Sequence, residues 1–213
     1  MKTRVIQVNP KNPQPEVIQQ ACAVLRRGGL VAFPTDTLYA LGANALDAVA
    51  VERVITVKGR HYGKPLSVLV PSVEVGAGLA AHLSEGAHTL METFWPGALT
   101  IVVNASPKMP SLLTVASGTV GLRMPAGPVA QALLAAYAGP IIGTSANKAG
   151  GADPADAKAV QKAIGGQIDL VLDGGRVSLG VPSTVIDCTI QPARILREGA
   201  ISRTALEAKI TLI

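Results

Sequence analysis

The chain has 213 residues, of which 48% are hydrophobic and only 3% aromatic, and its formal charge is +5. This length suits one large domain with a substantial core, and the scarcity of aromatic residues disfavours RNA-binding platforms that stack bases. Cys22 and Cys188 are too few for a disulfide framework or a zinc site, so we expect both to be small core residues.

The amino terminus contains basic residues but no apolar stretch of the kind that a signal peptide needs, which predicts a cytoplasmic protein. The longest uncharged stretch, 124–147, is interrupted by Pro128 and by Gly139-Pro140. It predicts a buried helix followed by a buried strand rather than a membrane span, so we expect no membrane partner.

Hydrophobic periodicity divides the chain into helices and strands. Helices are predicted over 15–27, from Asp47 to 58–60, over 84–94, over 128–137 and from 153–154 to 165. Strands are predicted over 30–33, 65–70, 98–103, 119–124, 141–144, 168–172, 184–189 and 193–197, with a loop over 106–117. Because helices and strands alternate at first while later strands lie close together, we predict an α/β fold with one mixed sheet covered by helices.

The stretch 30–42, LVAFPTDTLYALG, is the first candidate site. Its four leading apolar residues predict a buried strand that Pro34 ends, because proline has no backbone N–H. Thr35, Asp36 and Thr37 then place two hydroxyls and a carboxylate at the end of the strand, which is where open α/β sheets bind ligands.

Several further polar residues stand at the ends of predicted strands or close to them. They are Arg123, Thr144-Ser145-Ala146-Asn147 and Arg197, whereas Ser183-Thr184 opens a strand. Between Glu52 and Glu74 there is no acidic residue, and this interval holds Arg53, Lys58, Arg60, His61 and Lys64. Such a cluster suits a polyphosphate, so we expect a crevice that binds an anion.

The segment 143–147 is similar to a nucleophile elbow, but Asn147 stands where the second glycine belongs and no histidine follows Ser145. The spacing of His82, Glu85 and His88 does not favour a metal site. We therefore expect neither a serine hydrolase nor a protein-held metal.

Eight short motifs stand in order along the chain: PTDTLYALG at 34–42, KGR at 58–60, KPL at 64–66, WPGALT at 95–100, RMP at 123–125, SAN at 145–147, STVID at 183–187 and LREG at 196–199. Together they resemble the YrdC/YciO family over about residues 12–202. The resemblance implies a single YrdC-like domain over 1–213 with a short carboxyl-terminal tail. It also implies a twisted, mostly mixed sheet with a large concave basic cavity.

The resemblance further implies a nucleotidyltransferase that makes threonylcarbamoyl-AMP and pyrophosphate from L-threonine, bicarbonate and ATP. That product serves the threonylcarbamoyladenosine modification of tRNA, so RNA or tRNA and downstream tRNA-modifying proteins become expected partners. Mg²⁺ would arrive with ATP as the cofactor. The chemistry mainly requires anions to be gathered and aligned.

Site roles follow from the resemblance, motif by motif. The residues expected to bind ATP are Lys58, Arg60, Lys64, Thr119, Ser145, Asn147 and Arg197, with Lys58 and Arg60 as the catalytic pair. The residues expected to bind L-threonine are Thr37, Arg123 and Thr184. Leu69 stands where some members have a histidine near threonine, which removes one contact to the amino acid.

Two alternatives remain open at the level of sequence. One is a family member that binds structured RNA without synthase activity. The other is an enzyme that forms a carbamoyl-adenylate, or hydrolyses a nucleotide, with a different acceptor. All of these would use the same anion-binding crevice.

Overall fold

The computed structural model describes residues 2–59, 66–114 and 117–213. Its strands are β1 (Arg4–Gln7), β2 (Val31–Pro34), β3 (Tyr39–Gly42), β4 (Ser67–Leu69), β5 (Leu99–Asn104), β6 (Thr119–Arg123), β7 (Ile141–Ile142), β8 (Thr144–Ser145), β9 (Leu170–Asp173), β10 (Thr184–Asp187) and β11 (Arg194–Arg197). Its helices are α1 (Pro15–Arg26), α2 (Ala48–Lys58), α3 (Val73–Gly78), α4 (Glu85–Phe94), α5 (Ser111–Thr114), α6 (Pro128–Tyr137), α7 (Ala157–Ile164) and α8 (Arg203–Glu207).

The strands form two mixed sheets where the sequence predicted one. A five-stranded sheet has the order β1-β9-β2-β3-β8, and a six-stranded sheet has the order β11-β10-β5-β6-β4-β7. Each contains parallel and antiparallel pairs, so the prediction of mixed pairing is confirmed. The α/β class is confirmed as well.

The chain changes sheets at Gly143, inside the single strand predicted over 141–144. β7 pairs with β4 in the six-stranded sheet, whereas β8 pairs with β3 in the five-stranded sheet. A Cβ atom on Gly143 would collide with the side chain of Leu69, so this crossing needs glycine. Hydrophobic periodicity alone could not reveal the crossing, because the two strands are only two residues long each and consist of apolar or small side chains.

Two clusters of buried side chains cover the sheets. The smaller cluster joins α1 to α6, with Cys22, Leu25 and Leu133 among its members, and includes Phe33 from β2. The larger one contains buried residues of α2, α4 and α7 and runs through the middle of the six-stranded sheet. Both cysteines are buried, as the sequence predicted.

Helix ends follow the local sequence, with one correction. Asp47 caps α2 by accepting hydrogen bonds from the backbone N–H groups of Val49 and Ala50, and Gly59 ends it at φ +59°. α7 is capped by Asp156, whose side chain accepts from Ala159 N at 2.8 Å, and not by Asp153 as predicted. Asp153 is thereby left to line a cavity.

The segment after the first buried strand is a hairpin. β2 ends at Pro34, which pairs with Tyr39 at the last position of the β2–β3 ladder, so the prediction that Pro34 ends this strand is confirmed. A proline is tolerated there because no further ladder hydrogen bond is needed. Thr35, Asp36 and Thr37 consequently form the turn of the hairpin.

Candidate functional site

The floor of a cavity of about 470 Å³ is one face of the six-stranded sheet. Successive side chains on a strand point to opposite faces, so residues two apart share a face. The strand register places one row across the floor, made of Val185, Thr100, Arg123 and Leu69. The next row contains Val102, Gly121 and Ser67. All seven line the cavity.

The other walls come from the five-stranded sheet and from two loops. The hairpin turn contributes Thr35, Thr37 and Leu38, and β8 contributes Thr144 and Ser145. The remaining lining residues are Tyr39, Ala40, Leu66, Gly143, Asp153, Pro182, Ser183, Leu196 and Arg197. The cavity therefore lies between the two sheets.

Arg123 is the most constrained charged group in this cavity. Its Nε donates to Gly97 O at 2.8 Å, one terminal nitrogen donates to Thr37 Oγ1 at 2.8 Å, and the other donates to Asp36 Oδ1 at 2.6 Å. Its side chain is 8% exposed and that of Asp36 is 13% exposed. Burial lowers the pKa of Arg123, and the Asp36 carboxylate opposes that shift.

The Arg123 guanidinium has five N–H groups, of which three bind described protein atoms. One N–H on each terminal nitrogen makes no hydrogen bond to a described protein atom, and the residue lines the cavity. Two parallel N–H groups of one guanidinium are the usual partners of a carboxylate. The site is therefore set up to hold a carboxylate next to Thr37.

The hydroxyls of the hairpin turn have a fixed direction. Thr35 Oγ1 donates to Leu38 O at 2.7 Å and accepts from the N–H of Thr37 at 3.1 Å. Because its single proton is used there, the 3.0 Å contact between Thr35 Oγ1 and Thr37 Oγ1 must be donated by Thr37. Thr37 can then accept from Arg123, which fixes the orientation of both side chains.

Arg197 is held more loosely, at an exposed rim of the cavity. Its Nε and one terminal nitrogen donate to Ser183 O at 3.2 and 2.7 Å, and the same terminal nitrogen lies 3.3 Å from Ser183 Oγ. Ser183 Oγ also lies 2.9 Å from Thr100 Oγ1 on the floor. Partial desolvation lowers the pKa of Arg197, and the charge of Asp153 opposes that shift.

A buried polar network supports the wall that contains Ser145. Lys58 Nζ donates to Ser145 O at 2.6 Å and to Asn147 Oδ1 at 2.9 Å, and it lies 3.3 Å from Ser145 Oγ. Ser145 Oγ donates to Asn147 Oδ1 at 2.7 Å, and Asn147 Nδ2 donates to the carbonyls of Gly151 and Ala152. Lys58 is 1% exposed and Asn147 is 4% exposed, so this network fixes the loop that carries Ser145.

The family model for Sua5, YciO and YrdC proteins, described as telomere recombination, matches residues 23–199. The chain belongs to the Sua5/YciO/YrdC family. A threonylcarbamoyl-AMP synthase of Pyrococcus abyssi is 42% identical over 193 residues, which cover 91% of this chain and 57% of that protein. The chain thus spans little more than half the length of this relative.

Solved structures of the Sua5/YciO/YrdC family share the fold. P. abyssi Sua5 complexed with L-threonine has a TM-score of 0.94 at 39% identity, covering 99% of this chain and 63% of that one. Escherichia coli YciO has a TM-score of 0.89 at 29% identity, covering 96% of this chain and 99% of that one. The fold that the resemblance implied is confirmed.

Four of the residues expected to bind ligands line this one cavity: Thr37, Arg123, Ser145 and Arg197. Lys58 and Asn147 lie directly behind Ser145 and do not line it. Arg60 and Lys64 lie outside the described residues. Among the described lining residues the charged groups are two arginines and Asp153, so a strongly basic cavity is not seen in this part of the chain.

Two expected ligand residues are placed elsewhere. Thr184 is fully buried, and its hydroxyl donates to Ile201 O at 2.5 Å while accepting from the N–H groups of Gly199 and Ile201. Thr119 lies at the start of β6, past the lining residues, with its hydroxyl 2.9 Å from Ser117 Oγ. Strand alternation explains Thr184: Val185 faces the cavity, so Thr184 faces the opposite side of the sheet.

Sequence reasoning missed Ser67, Thr100, Gly121 and Asp153, all of which line the cavity, whereas Ser183 was named with the polar residues of the predicted crevice and does line it. Knowledge of the strand register would have identified Ser67, Gly121 and Thr100. Ser67 pairs with Gly121, and Thr100 lies opposite Arg123. The needed signal was the pairing of β4 and β5 with β6, which a single sequence does not supply.

In the part of the chain that the structure describes, no group of three or more His, Cys, Asp or Glu side chains could hold a metal ion. None of the described helices has the length and apolar character needed to cross a bilayer.

Proposed function

We propose that the chain is a threonylcarbamoyl-AMP synthase, a nucleotidyltransferase that uses L-threonine, bicarbonate and ATP. The observation that carries the proposal is the convergence of Arg123, Thr37, Ser145 and Arg197 on one cavity. Support comes from a 42% identical relative that carries the synthase name and from a similar structure complexed with L-threonine.

The reaction needs no protein nucleophile. The amine nitrogen of threonine attacks the carbon of bicarbonate, and loss of water leaves a carbamate. A carbamate oxygen then attacks the α-phosphorus of ATP, and pyrophosphate leaves with the electron pair of the broken P–O bond. The protein has to align these anions and stabilise the charge on the leaving group.

The geometry suggests how the substrates divide the cavity. The threonine carboxylate would bind the two remaining N–H groups of Arg123, next to Thr37. The nucleotide would lie towards Ser145 and Arg197, with Lys58, Arg60 and Lys64 assigned to the triphosphate and Thr119 to the nucleotide from the sequence. Asn147 and Lys58 would also act through Ser145, whose loop they hold.

Mg²⁺ would enter with ATP as part of that substrate. Asp153 is the single carboxylate among the described lining residues, so the donor set does not fit a metal held by the protein. The phosphate oxygens and water would supply most of the ligands of the ion.

The product would be a precursor for tRNA modification, and the tRNA-modifying proteins that accept it would be the downstream partners. Contact with RNA is not needed for the synthase step. Binding of tRNA is therefore a separate proposal, measured by the salt dependence of complex formation.

The test is incubation of the purified chain with ATP, Mg²⁺, threonine and ¹³C-bicarbonate, followed by mass spectrometry. We expect threonylcarbamoyl-AMP that carries the label, released with equal amounts of pyrophosphate. Omission of threonine or of bicarbonate should abolish both products. ATP turnover that ignores threonine and bicarbonate would overturn the proposal, and an adenylate formed best with another acceptor would indicate a different carbamoyl-adenylate enzyme.

A further inference from the structure

We infer that Ser67 and the bare backbone at Gly121 form the pocket for the amino-acid side chain, and that the Ser67 hydroxyl selects a substrate with a β-hydroxyl group. This inference rests on the proposed function. It assigns the choice of threonine to residues on the cavity floor that have no part in holding its carboxylate.

The floor places this pocket beside the carboxylate site. Gly121 and Arg123 are two residues apart on one face of β6, so their Cα atoms are about 6.5–7 Å apart. Ser67 pairs with Gly121 as Leu69 pairs with Arg123. We place the side chain of an amino acid bound to Arg123 on this neighbouring part of the floor, where Gly121 and Ser67 lie.

The absence of a side chain at Gly121 lets two neighbouring side chains approach its backbone. A Cβ atom at this position would lie 3.1 Å from the Thr100 Cγ2 methyl and 3.2 Å from Ser67 Oγ. The Thr100 methyl and the Ser67 hydroxyl thus lie close together over Gly121, and both line the cavity. Threonine carries one methyl and one hydroxyl on its β-carbon, which match these two groups.

The Ser67 hydroxyl has no protein partner among the described residues, although it lines the cavity. Other floor and turn hydroxyls are already engaged: Thr37 with Arg123 and Thr35, and Thr100 with Ser183. Leu69, the neighbour of Ser67 on the same face, offers only hydrocarbon. Ser67 is therefore the group on this part of the floor that can give a substrate hydroxyl a hydrogen bond.

Thr144 is a second hydroxyl without a described protein partner, but it belongs to β8 in the opposite sheet. It does not share the floor with Arg123 and Gly121. This difference makes Thr144 a matched comparison for Ser67, because both variants lose one hydroxyl from the same cavity.

The experiment compares kcat/KM for threonine with kcat/KM for valine, which replaces the hydroxyl by a methyl, in each variant. We expect Ser67→Ala to lower the threonine-to-valine ratio by roughly tenfold, the contribution of one buried hydrogen bond. Thr144→Val should leave that ratio within about twofold of the original. The ratio is unaffected by the fraction of active protein, so incomplete folding of a variant does not change it.

Gly121→Ala gives an independent measurement. The added methyl would press against Thr100 Cγ2 and Ser67 Oγ and displace them into the cavity. We expect the threonine-to-serine ratio to fall, while serine, one methyl smaller, is still used. An unchanged threonine-to-valine ratio in Ser67→Ala would overturn the inference, as would a larger fall in Thr144→Val. A change in the KM for bicarbonate alone would assign Ser67 to that substrate instead and would also overturn it. Failure of the unaltered chain to make any product would instead count against the proposed function.

Discussion

Arg123 and Arg197 face the same cavity, but they are constrained to very different degrees. Arg123 is buried, paired with Asp36 at 2.6 Å and held by two further hydrogen bonds. Arg197 lies at an exposed rim and is bound to Ser183, with the charge of Asp153 acting on it. The guanidinium of Arg123 is thus held in one orientation by the protein, whereas the rim arginine can be reoriented at small cost.

The largest expected effect on stability is that of Arg123→Met. The change leaves the Asp36 carboxylate buried without its cation, so we expect the free energy of unfolding to fall by about 3–5 kcal/mol. Urea denaturation measures this. The double variant Asp36→Asn with Arg123→Met should recover much of the loss, and a cost below about 1 kcal/mol for the single variant would show that Arg123 is not a structural anchor.

Lys58→Ala tests the support behind Ser145. Removal of a buried charged donor should cost about 1.5–3 kcal/mol of stability, and loss of loop geometry should lower product formation roughly tenfold or more. Both are measured on the same preparation, by denaturation and by pyrophosphate release. The matched control is Lys148→Ala, an exposed lysine on the same loop, which should change neither quantity. Unchanged turnover in Lys58→Ala would remove Lys58 from the site.

Arg197→Ala should weaken the binding of ATP while leaving the stability of the fold almost unchanged. We expect the KM for ATP to rise roughly tenfold through the loss of a charged contact, while the free energy of unfolding stays within about 0.5 kcal/mol. Arg194→Ala is the control, because Arg194 lies on the same strand with its side chain 54% exposed. A large loss of stability in Arg197→Ala would mean that the two arginines are equally anchored and that the comparison is wrong.

The smallest expected effect concerns alkaline pH. Burial raises the pKa of Cys188 to about 12, compared with an ordinary value of 9.0. The unfolded chain then loses this proton first, so the contribution of Cys188 to stability is complete below pH 9 and is lost as the pH rises towards 12. We expect a loss of about 1 kcal/mol between pH 9 and pH 10, absent in Cys188→Ala. Equal pH slopes for both proteins would contradict this.

Residues at the ends of strands were predictable from the sequence, and those that depend on pairing were not. Thr37 and Arg123 follow apolar runs closely enough for their place at a strand end to be inferred from periodicity. Thr184, which the resemblance assigned to L-threonine, lies on the opposite face of its strand from the lining residue Val185, and the sequence alone did not show which of the two faces the cavity. Ser67 and Gly121 could not be found, because their meeting depends on a parallel pairing between strands about fifty residues apart in sequence.

The two sheets were missed for a related physical reason. The break at Gly143 is a contact with Leu69, about seventy residues away, and nothing in the segment 141–145 requires the chain to leave one sheet for the other. The helix caps at Asp47 and Ser84 are local interactions, and these were predicted correctly.

The close fit of Gly143 against Leu69 restricts how this cavity can change during evolution. Any larger residue at 143 collides with Leu69, and a smaller residue at 69 alone opens a void in the wall. Variation at these two positions must therefore be correlated, with one side chain gaining volume as the other loses it. A change in the shape of the cavity at this point would therefore require a pair of substitutions.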